Sequence, residues 1–295
     1  MDNFSIDQLQ QFSGVKPHTI RIWEQRYNAS HPTHSDGNIR YYDNTQLKRL
    51  LNIVSLRDNR HKVSTLCTVS DETLHHLIDL KINNKAQQNS STAYFVSQLI
   101  LATTTFNEAN FEKIFTECLL QLGIRNTYIE VVYPMLHRIG IMWNIGTFSP
   151  AHEHFCSKLI KQKIYTAIDA LPPLSKNADR WMLFLPEKEF LEIGLLFANY
   201  LLRLSGKKVI YLGSNTPLTT LVSAVATIEP THLFFFFVHY NSPEDAKKYL
   251  HQLTTNFKHV KLHLSGNEKL ILQLDLGDKV NWIRSVEDLE KQLSL

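Results

Sequence analysis

The last third of the chain changes its hydrophobic period, and this change constrains the fold more than any other feature. Trp181–Leu185, Val209–Leu212 and Leu233–Val238 are short apolar runs, and the stretches between them, Phe190–Leu204 and Leu218–Ile228, read as helices. Strands that are apolar on both faces and alternate with helices belong to a parallel sheet with helices on both sides. Leu262–Leu264 and Val280–Ile283 continue the pattern, with another helix over Pro243–Thr255. Ligands of such sheets sit outside the carboxyl ends of the strands. That places the stretches 186–194, 213–217, 239–242 and 265–268 at any site.

Upstream the period is helical. Ala93–Thr104, Asn107–Leu122, Tyr128–Trp143 and Ser149–Ala170 make four helices in some eighty residues, the arithmetic of a small bundle. Before them lies a polar stretch, 76–91, with no apolar periodicity, which reads as a linker.

The first seventy-five residues form a third pattern. Ser5 is an N-cap candidate for a helix bearing Ile6, Leu9 and Phe12, and Ser13-Gly14-Val15 supplies a turn. A second helix starts at Pro17, with Ile20, Trp23 and Tyr27 as its apolar stripe. This leaves His18, Thr19, Arg21, Gln25 and Arg26 for the solvent or a nucleic acid. A loop dense in turn formers, 30–38, and a short strand, Ile39–Tyr42, add a wing. Asp43 then caps a third helix carrying Leu47, Leu50, Leu51 and Val54, and Val63 begins a fourth.

Charge separates these parts. The whole chain is only +3, but Lys16–Lys62 holds nine Lys and Arg against four Asp and Glu, a local excess of +5. The basic end carries the partner signal. Cationic and amide side chains on one helix face reach phosphates and base edges. The turn, the wing and the local charge together favour double-stranded DNA over a small helical domain with a solvated basic face. The candidate DNA-binding residues are Lys16, His18, Thr19, Arg21, Gln25, Arg26 and Arg40, with Tyr41 and Tyr42 of the wing strand.

Other classes find little support. No run approaches the roughly 18 apolar residues of a membrane span, and the N-terminus lacks the pattern of a secretory signal, so a cytoplasmic protein is expected. The scattered Cys67, Cys118 and Cys156 suit a reducing compartment. The phosphate-loop, dinucleotide-loop, nucleophile-elbow and zinc-protease motifs do not occur, and no enzyme is expected.

The residues Phe4-Ser-Ile-Asp-Gln-Leu, Ser13-Gly-Val, Thr19-Ile-Arg-Ile-Trp-Glu-Gln-Arg-Tyr27 and Gly37-Asn-Ile-Arg-Tyr-Tyr42 resemble the winged DNA-binding domain of MerR-family transcription regulators. The resemblance covers about seventy residues. It implies that Thr19, Arg21, Arg26 and Arg40 contact DNA, that Tyr41 and Tyr42 brace the wing, and that the protein acts as a dimer or tetramer on a two-fold operator.

Further on, Trp143 followed after nine residues by Glu153-His154 is similar to a signature of the helical bundle in cobalamin-dependent MerR-type photoreceptors. There the bundle caps the upper face of the corrin and a flavodoxin-like domain holds the lower face. The implied fold is multidomain: a winged helix-turn-helix (1–75), a four-helix bundle (92–175) and an α/β flavodoxin-like (Rossmann-like) parallel sheet (176–295). Relatives of this kind carry an acid-x-His-x-x-Gly motif whose histidine ligates cobalt from below. Here Glu189-Phe-Leu-Glu-Ile-Gly194 fits the frame with Leu191 at the histidine position, and leucine has no donor atom. A later Ser-x-Leu element is approximated by Val238-His-Tyr240, and a Gly-Gly element by Ser265-Gly266, while Gly213 still suits its turn.

The site residues implied for a cofactor are thus Trp143, Glu153, His154, Glu189, Gly194, Gly213 and Gly266, with no metal ligand at Leu191. The expectation is a MerR-type regulator with a sensory or oligomerising module that works without a cofactor. A cobalamin-dependent light or ligand sensor is the alternative, and a protein antirepressor is a further possible partner.

Overall fold

The computed structural model describes residues 4–34, 40–57, 61–74, 76–77, 92–144, 149–172, 179–238 and 242–294. The chain packs as two compact units, 1–159 and 160–295.

The first unit opens with α1 (Ile6–Ser13), started by a capping box in which Ser5 and Gln8 satisfy each other's backbone N–H. Gly14 ends it at φ 70°, the left-handed conformation a helix C-terminus favours. α2 (Pro17–Tyr27) begins on proline, whose missing N–H is no loss in a first turn. The two-residue strands β1 (Thr33–His34) and β2 (Arg40–Tyr41) pair antiparallel, and Phe4 and Tyr42 bridge beside them. The expected wing tip, Gly37 to Ile39, lies outside the described residues, as does most of the 76–91 stretch. α3 (Asn44–Leu56) has its own capping box from Asp43 and Gln46, and α4 (Val63–Thr68) follows. Leu9, Phe12, Ile20, Trp23, Tyr42, Leu47 and Leu51 form the core beneath the turn.

The helical segment contains α5 (Thr92–Thr104), α6 (Glu108–Thr127), a π-helical turn (Tyr128–Val132), α7 (Tyr133–Asn144) and α8 (Pro150–Asp169). The break expected after Leu122 is a kink at Gly123, with φ 70° and ψ 166°. α5 is buried nearly all round because it packs against both α3 and α6. The winged segment and the helices after it, separate units on the sequence reading, therefore share one core. A buried polar trio marks the join: Gln98 donates to Ser55 Oγ at 2.7 Å and to Asn52 Oδ1 at 3.4 Å.

The second unit takes the latter half of α8 and builds a five-stranded parallel sheet. Its strands are β3 (Arg180–Pro186), β4 (Lys208–Thr216), β5 (His232–Phe237), β6 (Lys261–Gly266) and β7 (Val280–Trp282), in the order β4-β3-β5-β6-β7. Between them run α9 (Ile193–Leu204), α10 (Leu218–Ile228), α11 (Pro243–Asn256) and the short α12 (Glu268–Ile271), and α13 (Val286–Leu293) closes the chain. This is the flavodoxin-like order, and its switch point lies between β3 and β5. Met182, Phe184, Leu233, Phe235, Phe237, Leu262 and Leu264 share one core cluster with Leu221 of α10 and Ala246, Leu250 and Leu253 of α11.

Candidate nucleic-acid interface and cofactor crevice

Helical geometry divides α2 in two. Ile20 and Trp23 turn into the core, while His18, Arg21, Gln25 and Arg26 are exposed, as is Lys16 at the N-cap; Thr19 is half-buried. The exposed set offers cations, an amide and an imidazole from a rigid element. In the wing, Arg40 Nε lies 3.9 Å from the buried Glu24 carboxylate, which also accepts from Ser30 Oγ at 3.1 Å. Tyr41 is half-buried and its carbonyl accepts from Thr33 Oγ1.

Tyr42 cannot face DNA. It is fully buried, its backbone pairs with Phe4 at 2.7 and 2.8 Å, and burial together with the Glu24 carboxylate raises its phenol above the ordinary range. It braces the wing from inside.

One basic residue that adds to the local charge is directed inward. Arg49 donates from Nε to the Ala29 carbonyl at 3.0 Å and from Nη2 to the carbonyls of Cys67 and Val69 at 2.7 and 2.9 Å, and it pairs with Asp71. It ties the ends of α2 and α4 to α3. The position of Arg49 between Lys48 and Leu50 gives no hint of this, because all its partners except Asp71 are backbone carbonyls.

The helical residues implied for a cofactor lie in the last turn of α7 and the first turn of α8. Trp143 is in the last turn of α7, and its side chain lies outside the described part of the structure. Glu153 and His154 occupy the start of α8, where a carboxylate suits the helix dipole. The His154 side chain is 71% exposed, with Nδ1 3.4 Å from the Glu153 carboxylate. Its neighbour His152 accepts or donates at Ser149 Oγ and stacks on Phe106, with centroids 4.3 Å apart.

Among the described α/β residues implied for a cofactor, Glu189 turns into the protein. Glu189 is buried, and its Oε1 accepts from the Val238 N–H at 2.9 Å, tying the loop after β3 to the end of β5. Its carbonyl accepts from the Asn215 N–H, and Asn215 Oδ1 accepts from the Lys188 N–H. Leu191 is half-buried and brings only carbon to this loop. Gly194 sits in the first turn of α9.

At Gly266, φ is 128° and a Cβ would lie 2.1 Å from the Phe237 carbonyl oxygen. The missing side chain therefore admits the backbone of β5. At Gly213 a Cβ would meet Glu192 at 3.4 Å and the Tyr211 ring at 3.5 Å. Three residues that sequence reasoning missed close this corner. Lys161 Nζ lies 2.8 Å from Glu192 Oε1, and Tyr211 donates to Glu192 Oε2 at 3.5 Å, with Tyr165 nearby. Burial and the Glu192 charge raise the Tyr211 phenol. Only contact across sequence distance reveals such a group. Among the described residues of this half, Leu191 offers no donor atom, Gly266 closes on the β5 backbone and the Glu189 carboxylate accepts from the Val238 N–H.

Residues 4–76 match the MerR HTH family regulatory protein profile, and residues 95–167 match the B12 binding domain. The HTH-type transcriptional repressor CarH of Myxococcus xanthus is 25% identical over 252 residues, covering 85% of this chain and 84% of the relative. CarA of the same organism, also named an HTH-type transcriptional repressor, is 22% identical over 238 residues, covering 80% and 77%. Among solved structures, the Methanosarcina barkeri monomethylamine corrinoid protein shares 16% identity at a TM-score of 0.49, covering 65% of this chain and 94% of that one.

Proposed function

We propose that this MerR-type DNA-binding regulator with a B12 binding domain represses transcription from a two-fold operator as a dimer or tetramer, and that its sensory module works without a cobalt-ligating histidine. The functional division is 1–75 for DNA, 92–175 for the helical part and 176–295 for the α/β part. The observation that carries the DNA reading is the exposed face of α2, with Lys16, His18, Arg21, Gln25 and Arg26 opposite a buried Ile20 and Trp23. Such a face binds phosphates with an affinity that falls steeply with salt and adds sequence preference through base edges. The relatives are named as transcriptional repressors, and this supplies the sign, repression. Selection from a random duplex pool by the full chain tests it, and recovery of no preferred sequence would overturn it.

A second reading makes the protein a cobalamin sensor. The observation in its favour is His154, exposed beside Glu153 within the segment that matches the B12 binding domain. Cobalamin would supply a light- or ligand-sensitive metal centre, and His154 would offer it a donor. Visible spectra of the purified chain after incubation with adenosylcobalamin or hydroxocobalamin separate the readings. A colourless protein supports the cofactor-free module, and a co-eluting red chromophore selects the sensor.

A further inference from the structure

We infer that Arg138 of α7, far outside the DNA-binding segment, is a positioning residue for operator recognition because it holds the turn between α1 and α2. This rests on the DNA-binding reading and adds the element that aims the helix. The Arg138 guanidinium lies against Gly14: a Cβ there would meet Nη2 at 2.7 Å and Cζ at 3.1 Å. Nη1 donates to the Phe12 carbonyl at 3.4 Å. Both partners belong to the C-terminal end of α1, where the negative end of the helix dipole attracts a cation. α1 has no basic residue in its own last turn, so α7 supplies one.

The side chain is well placed to set direction. α1 packs on α7, and α2 leaves the turn only three residues after Gly14. A small tilt at Gly14 is carried along the length of α2 to Arg21, Gln25 and Arg26. Glycine at position 14 serves two needs, the left-handed φ of 70° and the room for the guanidinium. Nonspecific binding needs only charge near phosphate, whereas base readout needs the helix at its correct angle. Losing Arg138 should therefore reduce preference more than attraction.

The test uses the full chain and the duplex it selects from a random pool, with a mixed-sequence duplex as reference. Arg138→Ala is expected to lower selected-site affinity about tenfold, equivalent to ~1.4 kcal/mol. Mixed-sequence affinity and the salt slope should stay unchanged, and Arg138→Lys should recover part of the loss. A general loss of folding would instead weaken both duplexes together and lower the thermal midpoint, which overturns the positioning role.

Gly14→Asn gives an independent arm, because asparagine accepts the left-handed backbone but its Cβ displaces Arg138. It should reduce preference in the wild-type background and add little to Arg138→Ala. Additive effects would overturn the proposal, as would unchanged preference in Arg138→Ala. A wild-type chain that selects no sequence would overturn the DNA-binding reading and this inference with it.

Discussion

The outer face of α2 and the loop after β3 both carry family-like residues, yet they use them in opposite directions. On α2 the polar groups point outward, with Arg21, Gln25 and Arg26 exposed. After β3 they point inward: Glu189 bonds to the Val238 N–H, and Gly266 makes room for the Phe237 carbonyl. A motif keeps its binding meaning when its donors stay free for a ligand. Once the protein's own backbone consumes them, the same letters hold the fold together.

The contrast breaks most sharply at Gly266. Gly266→Ala places a methyl 2.1 Å from the Phe237 carbonyl at a φ of 128°, so β5 and β6 must separate. A loss of about 3 kcal/mol is expected in denaturant unfolding of the full chain, with or without added cobalamin. A neutral result would mean that β5 and β6 accommodate the added methyl and the close approach of Gly266 carries no weight in the fold.

Arg49 probes the inward use of charge on the DNA side. Arg49→Ala removes the donor from the carbonyls of Ala29, Cys67 and Val69 and leaves Asp71 without its partner. About 2 kcal/mol of stability should go. Arg21→Ala should do the reverse, changing stability by less than about 0.5 kcal/mol while costing operator affinity ~1–3 kcal/mol. A mobility shift beside a thermal melt checks both variants. If Arg49→Ala were as stable as wild type, its bonds would carry no weight in the fold.

A pH-dependent contrast lies near the amino-terminal ends of the central strands, where Trp181 stacks on His232 at 4.1 Å and His232 Nδ1 lies 2.9 Å from His263 Nε2. Burial, with Lys261 adding, pushes His232 down to about 4; burial, the His232 ring and Lys261 push His263 down to about 3. Lys207 also disfavours charge on His232, and Asp179 favours it. Unfolded histidines take up protons near pH ~6.5 and these folded ones do not. Stability is therefore complete above that pH and declines as pH falls towards about 4 and 3, by up to about 1.4 kcal/mol per pH unit for each proton. His263→Gln should flatten that decline in unfolding midpoints measured across the range.

Much of this architecture is written in local pattern. The change from a period near four to short apolar runs predicts the strands at Trp181, Val209 and Leu233, and capping residues such as Ser5 and Asp43 start their helices where expected. Leu191 is legible too, since the absence of a donor atom needs no coordinates. Tyr42 is a different case: the letters place it beside the wing strand, but only its burial decides that it braces and does not contact DNA.

What the sequence determined by itself, then, is the order of helices and strands and the chemistry each segment brings. Those follow from side-chain period, caps and charge within a few residues of one another. Tertiary structure decided which groups remain free. A π-turn before α7 shifts the register of that helix by one residue, roughly 100° of rotation, and so decides which of its side chains meets α1. Arg138 reaches Gly14, Arg49 reaches Cys67 and Val69, and Lys161 reaches Glu192 across gaps that no local period encodes. Partner choice between distant segments is set by packing, because a guanidinium or ammonium satisfies whichever acceptor the closed core leaves within its reach.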